Sequence, residues 1–232
     1  MPKVIGVLGG MGPEATADFF VKLIRSTPAK RDADHLRVII DSNPRIPDRT
    51  EAIAGEGPSP VPALVATARN LVRAGAELLA IPCITAHHFI DEVAAAADVP
   101  VLDALKLTAR RVRETFASGD RLAILASTGT LQTKLFERAM PGRTFVIPSV
   151  DEQRDVVMAA VYGPAGVKTV GATPDTAERM RAYVAELAGR GARGVILGCT
   201  EFSVLFNGVE LPLPVIDPMW LLAEEAVLRA RD

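Results

Sequence analysis

The apolar positions of this chain gather into short runs, Val4–Leu8, Val38–Ile40, Leu78–Ile81, Leu122–Leu125, Thr144–Ile147 and Val195–Leu197. Between them, apolar residues recur at the three- and four-residue spacing of a helix. The runs lack the in–out alternation of a half-exposed antiparallel sheet, so they read as strands buried on both faces. Buried strands alternating with amphipathic helices predict an α/β fold with parallel sheets covered by helices.

The pattern repeats once. Val4–Thr16 (VIGVLGGMGPEAT) aligns with Arg121–Thr133 (RLAILASTGTLQT), pairing Gly12 with Gly129 and Thr16 with Thr133. Gly75-Ala76, six residues and Cys83 recur as Gly191-Ala192, six residues and Cys199, and Pro100-Val101-Leu102-Asp103 recurs as Pro214-Val215-Ile216-Asp217. The displacement is nearly the same each time, and three collinear matches of this kind mark a duplicated unit. The fold class that follows is two pseudo-symmetric three-layer α/β domains. No Ser/Gly linker or charge run parts the halves, so they are expected to pack directly, with the active site in the cleft between them. Ligands of open parallel sheets bind beyond the carboxyl ends of the strands, where Gly9–Thr16, Cys83, Ser127–Thr130 and Cys199 all fall. Two-fold symmetry then sets the cysteines opposite each other.

Composition removes several classes of function. The 26 Lys plus Arg and 28 Asp plus Glu leave a formal net charge of −2, which gives no basic bias toward nucleic acid. Pro, Gly or charge interrupts every apolar run short of the about 18 residues a membrane helix needs, so no membrane partner is expected. The first ten residues lead into a glycine-punctuated strand without the features of an export signal, which reads as a cytoplasmic protein. In a reducing compartment the two cysteines are expected to be free thiols. With His35, His87 and His88 they offer no recognised metal-binding spacing, and no metal is assigned.

A cysteine closing a buried strand is ordinarily an inert small hydrophobe; two of them at repeat-related positions need another explanation. Inverting a stereocentre through a planar carbanion requires a base on one face and an acid on the other, with the roles exchanged for the opposite enantiomer. Two thiols suit that task if their surroundings tune the cost of the thiolate. Thr85 and His87 follow Cys83, and Thr200 and Glu201 follow Cys199, at sites where helix N-termini and polar donors favour anions.

The opening GVLGGMGPEAT, the loop SNPRIPDRT (Ser42–Thr50), PCITAH (Pro82–His87), ASTGT (Ala126–Thr130) and GCTE (Gly198–Glu201) together resemble the aspartate/glutamate racemase family over essentially the whole chain. The resemblance implies an amino-acid racemase that needs neither pyridoxal phosphate nor metal, acts on a small amino-acid substrate and is commonly a homodimer. It implies that the second Pro-Val-Ile-Asp segment and its helix return to the first domain, giving 1–102 with 212–232 as one domain and 103–211 as the other. Cys83 and Cys199 match the catalytic thiols, and Arg49 matches the position expected to hold a substrate carboxylate, for which a guanidinium fork is suited. Lys168 matches a second cationic contact. Met11, Gly12, Thr128 and Thr130 match loops surrounding the α-carboxylate, with Thr85, Thr200 and Glu201 completing the substrate contacts; Glu201 is also placed to orient or deprotonate Cys199. Arg45 reads as a solvated loop residue, and His87 and His88 read as polar packing residues.

The chain departs from that pattern at Ile84, where the family ordinarily carries Asn. Isoleucine has no donor or acceptor to offer a substrate, which leaves an altered substrate, a related carboxylic-acid isomerase or a catalytically silent binding protein as alternatives. A further alternative is a dinucleotide-dependent oxidoreductase, since Gly10-x-Gly12-x-x-Ala15 follows a strand and Asp41 ends the next one. That reading assigns the cysteines no role.

Overall fold

The first apolar run folds as β1 (Ile5–Gly9), buried along its whole length as a strand covered on both faces must be. It is the middle strand of a parallel sheet, with β2 (Val38–Ser42) on one side and β3 (Leu78–Ala80) on the other. Val101 adds a parallel bridge to Leu79 at the outer side of β3. Connecting these strands are α1 (Pro13–Ser26), α2 (Arg49–Ala54) and α3 (Val61–Arg73), followed after β3 by a 3-10 turn (Thr85–Phe89) and α4 (Ile90–Ala96). The chain steps outward from β1 to β2 and then back across β1 to β3, an order for which the right-handed rule for parallel crossovers dictates opposite faces for α1 and α3. The computed structural model describes residues 2–232. They divide into two units, Met1–Ala104 with Met219–Asp232 and Leu105–Pro218.

The second unit begins within α5 (Ala104–Thr115) and continues as β4 (Arg121–Leu125), α6 (Thr128–Gln132), α7 (Leu135–Ala139) and β5 (Phe145–Val146). Next come α8 (Val150–Glu152), a π-helical turn (Gln153–Met158), α9 (Ala159–Tyr162), α10 (Val167–Val170) and α11 (Pro174–Gly189). The unit closes with β6 (Ala192–Leu197), α12 (Thr200–Leu205) and β7 (Val215–Ile216). Its strands are parallel in the order β5-β4-β6-β7, which repeats the order of β2, β1, β3 and the Val101 bridge position for position. Helix starts follow local chemistry. Asp48 accepts hydrogen bonds from Thr50 N and Glu51 N at the head of α2, Thr173 does the same for Thr176 N at α11, and proline occupies the first turn of α1 and α11.

The duplication extends to side-chain detail. Thr16 Oγ1 donates to Gly12 O at 2.8 Å, and Thr133 Oγ1 donates to Gly129 O at 2.7 Å, the two pairs the sequence repeat superimposes. The expected strands all form, with ends displaced by up to three residues, the largest shift being the start of β6 at Ala192. Val215 and Ile216 pair with Val195 and Ile196 in the second unit's sheet, so the return to the first unit comes at Met219, within α13 (Pro218–Arg231). Lys3 N–H meets Ala230 O at 2.7 Å there, and the buried Lys22 ammonium, paired with Asp18, lies 5.4 Å from the Trp220 ring centroid.

Gly10 carries the turn out of β1 with φ +94°, and a Cβ at this position would stand 2.4 Å from the Asn43 carbonyl carbon. Gly75 has φ +101° but nothing within 4 Å of a Cβ. Gly10→Ala is therefore expected to lower stability by about 2 kcal/mol or more, and Gly75→Ala by about 1 kcal/mol, because only the first adds a backbone collision to the conformational cost. Urea midpoints for the two variants check this, and equal losses would show that the turn around Gly10 relaxes without penalty.

Candidate active site

Cys199 lies just past β6 as the N-cap of α12, with extended backbone (φ −126°, ψ 136°). Its side chain, 8% exposed, turns back to Glu201. The Sγ–H donates to Glu201 Oε2 at 2.8 Å, Thr200 Oγ1 donates to the same oxygen at 3.2 Å, and Lys168 Nζ pairs with Oε1 at 2.7 Å. Thus one buried carboxylate takes a thiol, a hydroxyl and an ammonium. Burial, followed by the charge and the hydrogen bond of Glu201, pushes the Cys199 thiol well above its ordinary range, with Lys168 opposing. The resting group at this position is a protonated thiol, able to act as an acid and already in contact with a carboxylate. Lys168 Nζ is itself held 5.4 Å from the Tyr162 ring centroid.

In the first unit Cys83 follows β3 and is also buried. Its N–H donates to Ile81 O at 2.8 Å, and its carbonyl lies 2.9 Å from His87 Nδ1. His87 Nε2 receives the Ala104 N–H at 3.1 Å. An amide N–H can only donate, so Nε2 is the bare nitrogen and Nδ1 carries the proton given to Cys83 O. His87 is the polar packing residue expected, but its packing serves the backbone of the candidate thiol. Ile84 and Thr85 beside it are both buried, Ile84 as the N-cap of the 3-10 turn.

The remaining candidates gather in two loops. Arg49 starts α2 and is buried; Nη1 donates to Ile46 O at 3.2 Å and Pro47 O at 3.0 Å, and Nη2 to Met11 O at 3.5 Å. Its guanidinium therefore clamps its own loop to the Met11–Gly12 turn, where Gly10 N–H also bonds Thr16 Oγ1 at 2.8 Å. In the second unit, Ser127 Oγ accepts the Thr130 N–H at 3.4 Å and lies 3.2 Å from Thr130 Oγ1. A residue that the sequence does not single out joins this loop: Gln153 Nε2 donates to Ala126 O at 2.9 Å and to Thr128 Oγ1 at 3.4 Å. The Ser149–Glu152 capping box just ahead of it is legible in the sequence as S-x-x-E, but nothing local indicates where the glutamine reaches. Among the described residues, no group of three or more His, Cys, Asp or Glu could hold a metal ion, and no helix is long and apolar enough to cross a membrane.

Two duplicated α/β units, each with a thiol just past the carboxyl end of its third strand, have the build of a racemase, an isomerase. Residues 8–226 match the Asp/Glu/hydantoin racemase family, and the chain belongs to that family. A broad-specificity amino-acid racemase of Bacillus subtilis, RacX, is 24% identical over 97% of this chain and 96% of its own. Among solved structures, the aspartate racemase of Picrophilus torridus is similar with a TM-score of 0.83 and 27% identity, covering 99% of this chain and 94% of that one. An aspartate racemase homologue of Pyrococcus horikoshii shares the fold at a TM-score of 0.73 and 23% identity, over 100% of both chains.

Replacing Glu201 by Gln removes the like charge next to the Cys199 sulfur, so the thiol should ionise at lower pH. In a Cys83→Ser background, the pH profile of iodoacetamide alkylation should move to lower pH. Below the thiol's titration range, alkylation at a fixed pH should rise about tenfold for every pH step of one by which the profile moves. An unmoved profile would mean that Glu201 does not govern this sulfur.

Burial holds the His87 imidazole below its ordinary value of 6.5. The unfolded chain then takes up a proton near pH 6.5 that the folded chain refuses, so the stability tied to neutral His87 is present above that pH and is lost as pH falls below it, by at most about 1.4 kcal/mol for each tenfold rise in proton concentration. His87→Gln, whose carbonyl can still accept from Ala104 N–H, should show a shallower loss of urea stability between pH 7.5 and 5. Parallel curves for the two proteins would remove His87 as the cause.

Proposed function

We propose that this protein is an amino-acid racemase that moves the α-proton of its substrate between Cys83 and Cys199 without pyridoxal phosphate or metal. In one direction the Cys83 thiolate takes the α-hydrogen, leaving a carbanion stabilised by the adjoining carboxylate, and the Cys199 thiol delivers its proton to the opposite face. The products are a Cys83 thiol, a Cys199 thiolate and the inverted amino acid. The reverse enantiomer uses the same groups with exchanged roles. The observation that carries this reading is the Cys199–Glu201–Lys168 array. Glu201 orients the S–H before transfer and is the nearest base to exchange the proton afterwards, and Lys168 offsets the negative charge that remains between sulfur and carboxylate.

The α-carboxylate is assigned to the turns at Met11–Gly12 and Thr128–Thr130 with Thr85 and Thr200, and a side-chain carboxylate to Arg49 and Lys168. Aspartate, glutamate or a related amino acid is the substrate class. Ile84 stands where a polar contact would serve an acidic side chain, and together with the likeness to a broad-specificity relative this favours a range that extends to less polar amino acids. The reading also takes the protein to be a cytoplasmic homodimer. Phe20, Val21 and Ile24 along α1 and Ile40 on the edge strand β2 are exposed apolar residues that a second copy could cover.

The test is proton NMR of L- and D-aspartate, glutamate and a neutral panel in deuterated water with cofactor-free enzyme. Wild type should lose the α-proton signal of at least one pair of enantiomers. Cys83→Ala and Cys199→Ala should each cut racemisation by about a thousandfold, the order of a lost acid–base group, while each retains exchange of only the enantiomer facing the surviving thiol. Near wild-type racemisation by either variant would overturn the two-base reading.

A further inference from the structure

Gln153 is a buried amide, 7% exposed, that opens the π-helical turn Gln153–Met158, a helical irregularity often retained at functional sites. The orientation of its amide is determined by its neighbours. Ala126 O can only accept, so the group 2.9 Å from it must be the nitrogen, Nε2. The second Nε2 proton points to Thr128 Oγ1 at 3.4 Å. That leaves the buried Oε1 with no hydrogen-bond partner among the described residues. A residue present for packing alone would not bury an unpaired acceptor, so the reason for an amide here lies in the two bonds it donates.

The second of those bonds has a directional consequence. A hydroxyl that accepts a proton from an amide keeps its own proton for another partner, so Thr128, which is half-buried at the first residue of α6, presents an O–H donor. The first bond ties down Ala126 at the end of β4, the anchor of the same turn. We propose that Gln153 is a positioning residue for substrate binding, acting through Thr128: it turns the threonine hydroxyl into an obligate donor toward the substrate carboxylate. This rests on the racemase reading for the identity of the ligand, and on the two hydrogen bonds for the role of Gln153.

Gln153→Met keeps the length and removes both donors, and Thr128→Val removes the hydroxyl. Each single variant should raise KM for the best substrate about fivefold to twentyfold with kcat changed less than about twofold, the pattern of a lost binding contact. The double variant should lose less than the product of the two single effects, because Gln153 reaches the substrate through that hydroxyl and its bond to Ala126 O only anchors the turn. Thr128→Ser, which restores a hydroxyl, should recover wild-type KM only when Gln153 is present. Independent losses in the double variant, a fall in kcat at constant KM, or an unchanged Gln153→Met enzyme would each overturn the proposal. Should Gln153→Met fail to fold, Gln153→Glu offers an acceptor in place of the donor and should weaken binding at least as much; if neither folds, Gln153 is purely structural and the proposal falls. Calorimetric titration with the same amino acids separates this from the broader reading. Binding that depends on Gln153 without α-proton exchange would sink the racemase and keep the positioning role, whereas exchange that ignores Gln153 would do the reverse. Wild-type protein that binds no member of the panel overturns both.

Discussion

At the carboxyl end of each strand in a parallel sheet, backbone groups run past the reach of the neighbouring strand and must find partners elsewhere. In this protein side chains supply them. Thr16 takes the Gly10 N–H and returns its own proton to Gly12 O, His87 binds the carbonyl of Cys83, Gln153 binds that of Ala126, and Arg49 gathers the carbonyls of Ile46, Pro47 and Met11. These bonds shape the turns in which the candidate site residues sit. They also explain why buried polar residues cluster at this end of the sheets, where a broken bond would leave an unpaired group shielded from water.

The two halves keep one backbone plan and differ in their chemistry. Strand order and the threonine bonds of the turns are shared, but two residues beyond each cysteine the first half has Thr85 and the second has Glu201. A buried carboxylate is costly to desolvate unless it is fully engaged. Glu201 is engaged by Cys199, Thr200 and Lys168 at once, and the result is a thiol whose proton is held tightly. Under the proposed two-base mechanism the two thiols would work in unlike surroundings, and the two directions of proton transfer would differ in ease.

The fold is largely legible in the sequence, because its information is local and repeated. Buried strands declare themselves as uninterrupted apolar runs, and the alignment of Gly12 with Gly129 and Thr16 with Thr133 points to a turn built twice, which the structure closes twice with the same hydrogen bond. The proline and glycine punctuation of the helices can likewise be read by position. The end of the second unit is harder. Val215 and Ile216 look the same whether they pair within one sheet or begin the path to another, and only their register with Val195 and Ile196 assigns them.

For the site, the residue types on offer can be read along the chain: two thiols at matched strand ends, a glutamate two residues beyond one of them, and the loops carrying Met11, Arg49, Thr128 and Lys168. What each of them touches depends on the packing of distant segments. Arg49 spends donors on backbone carbonyls, Lys168 on Glu201, and His87 and Gln153 reach 17 and 27 residues along the chain to hold Ala104 and Ala126. The physical reason is that a hydrogen bond is set by distance and direction over a few ångströms, whereas residue spacing specifies geometry only within a helix turn or along a strand. Beyond that range, the packing of the sheet decides which side chains meet.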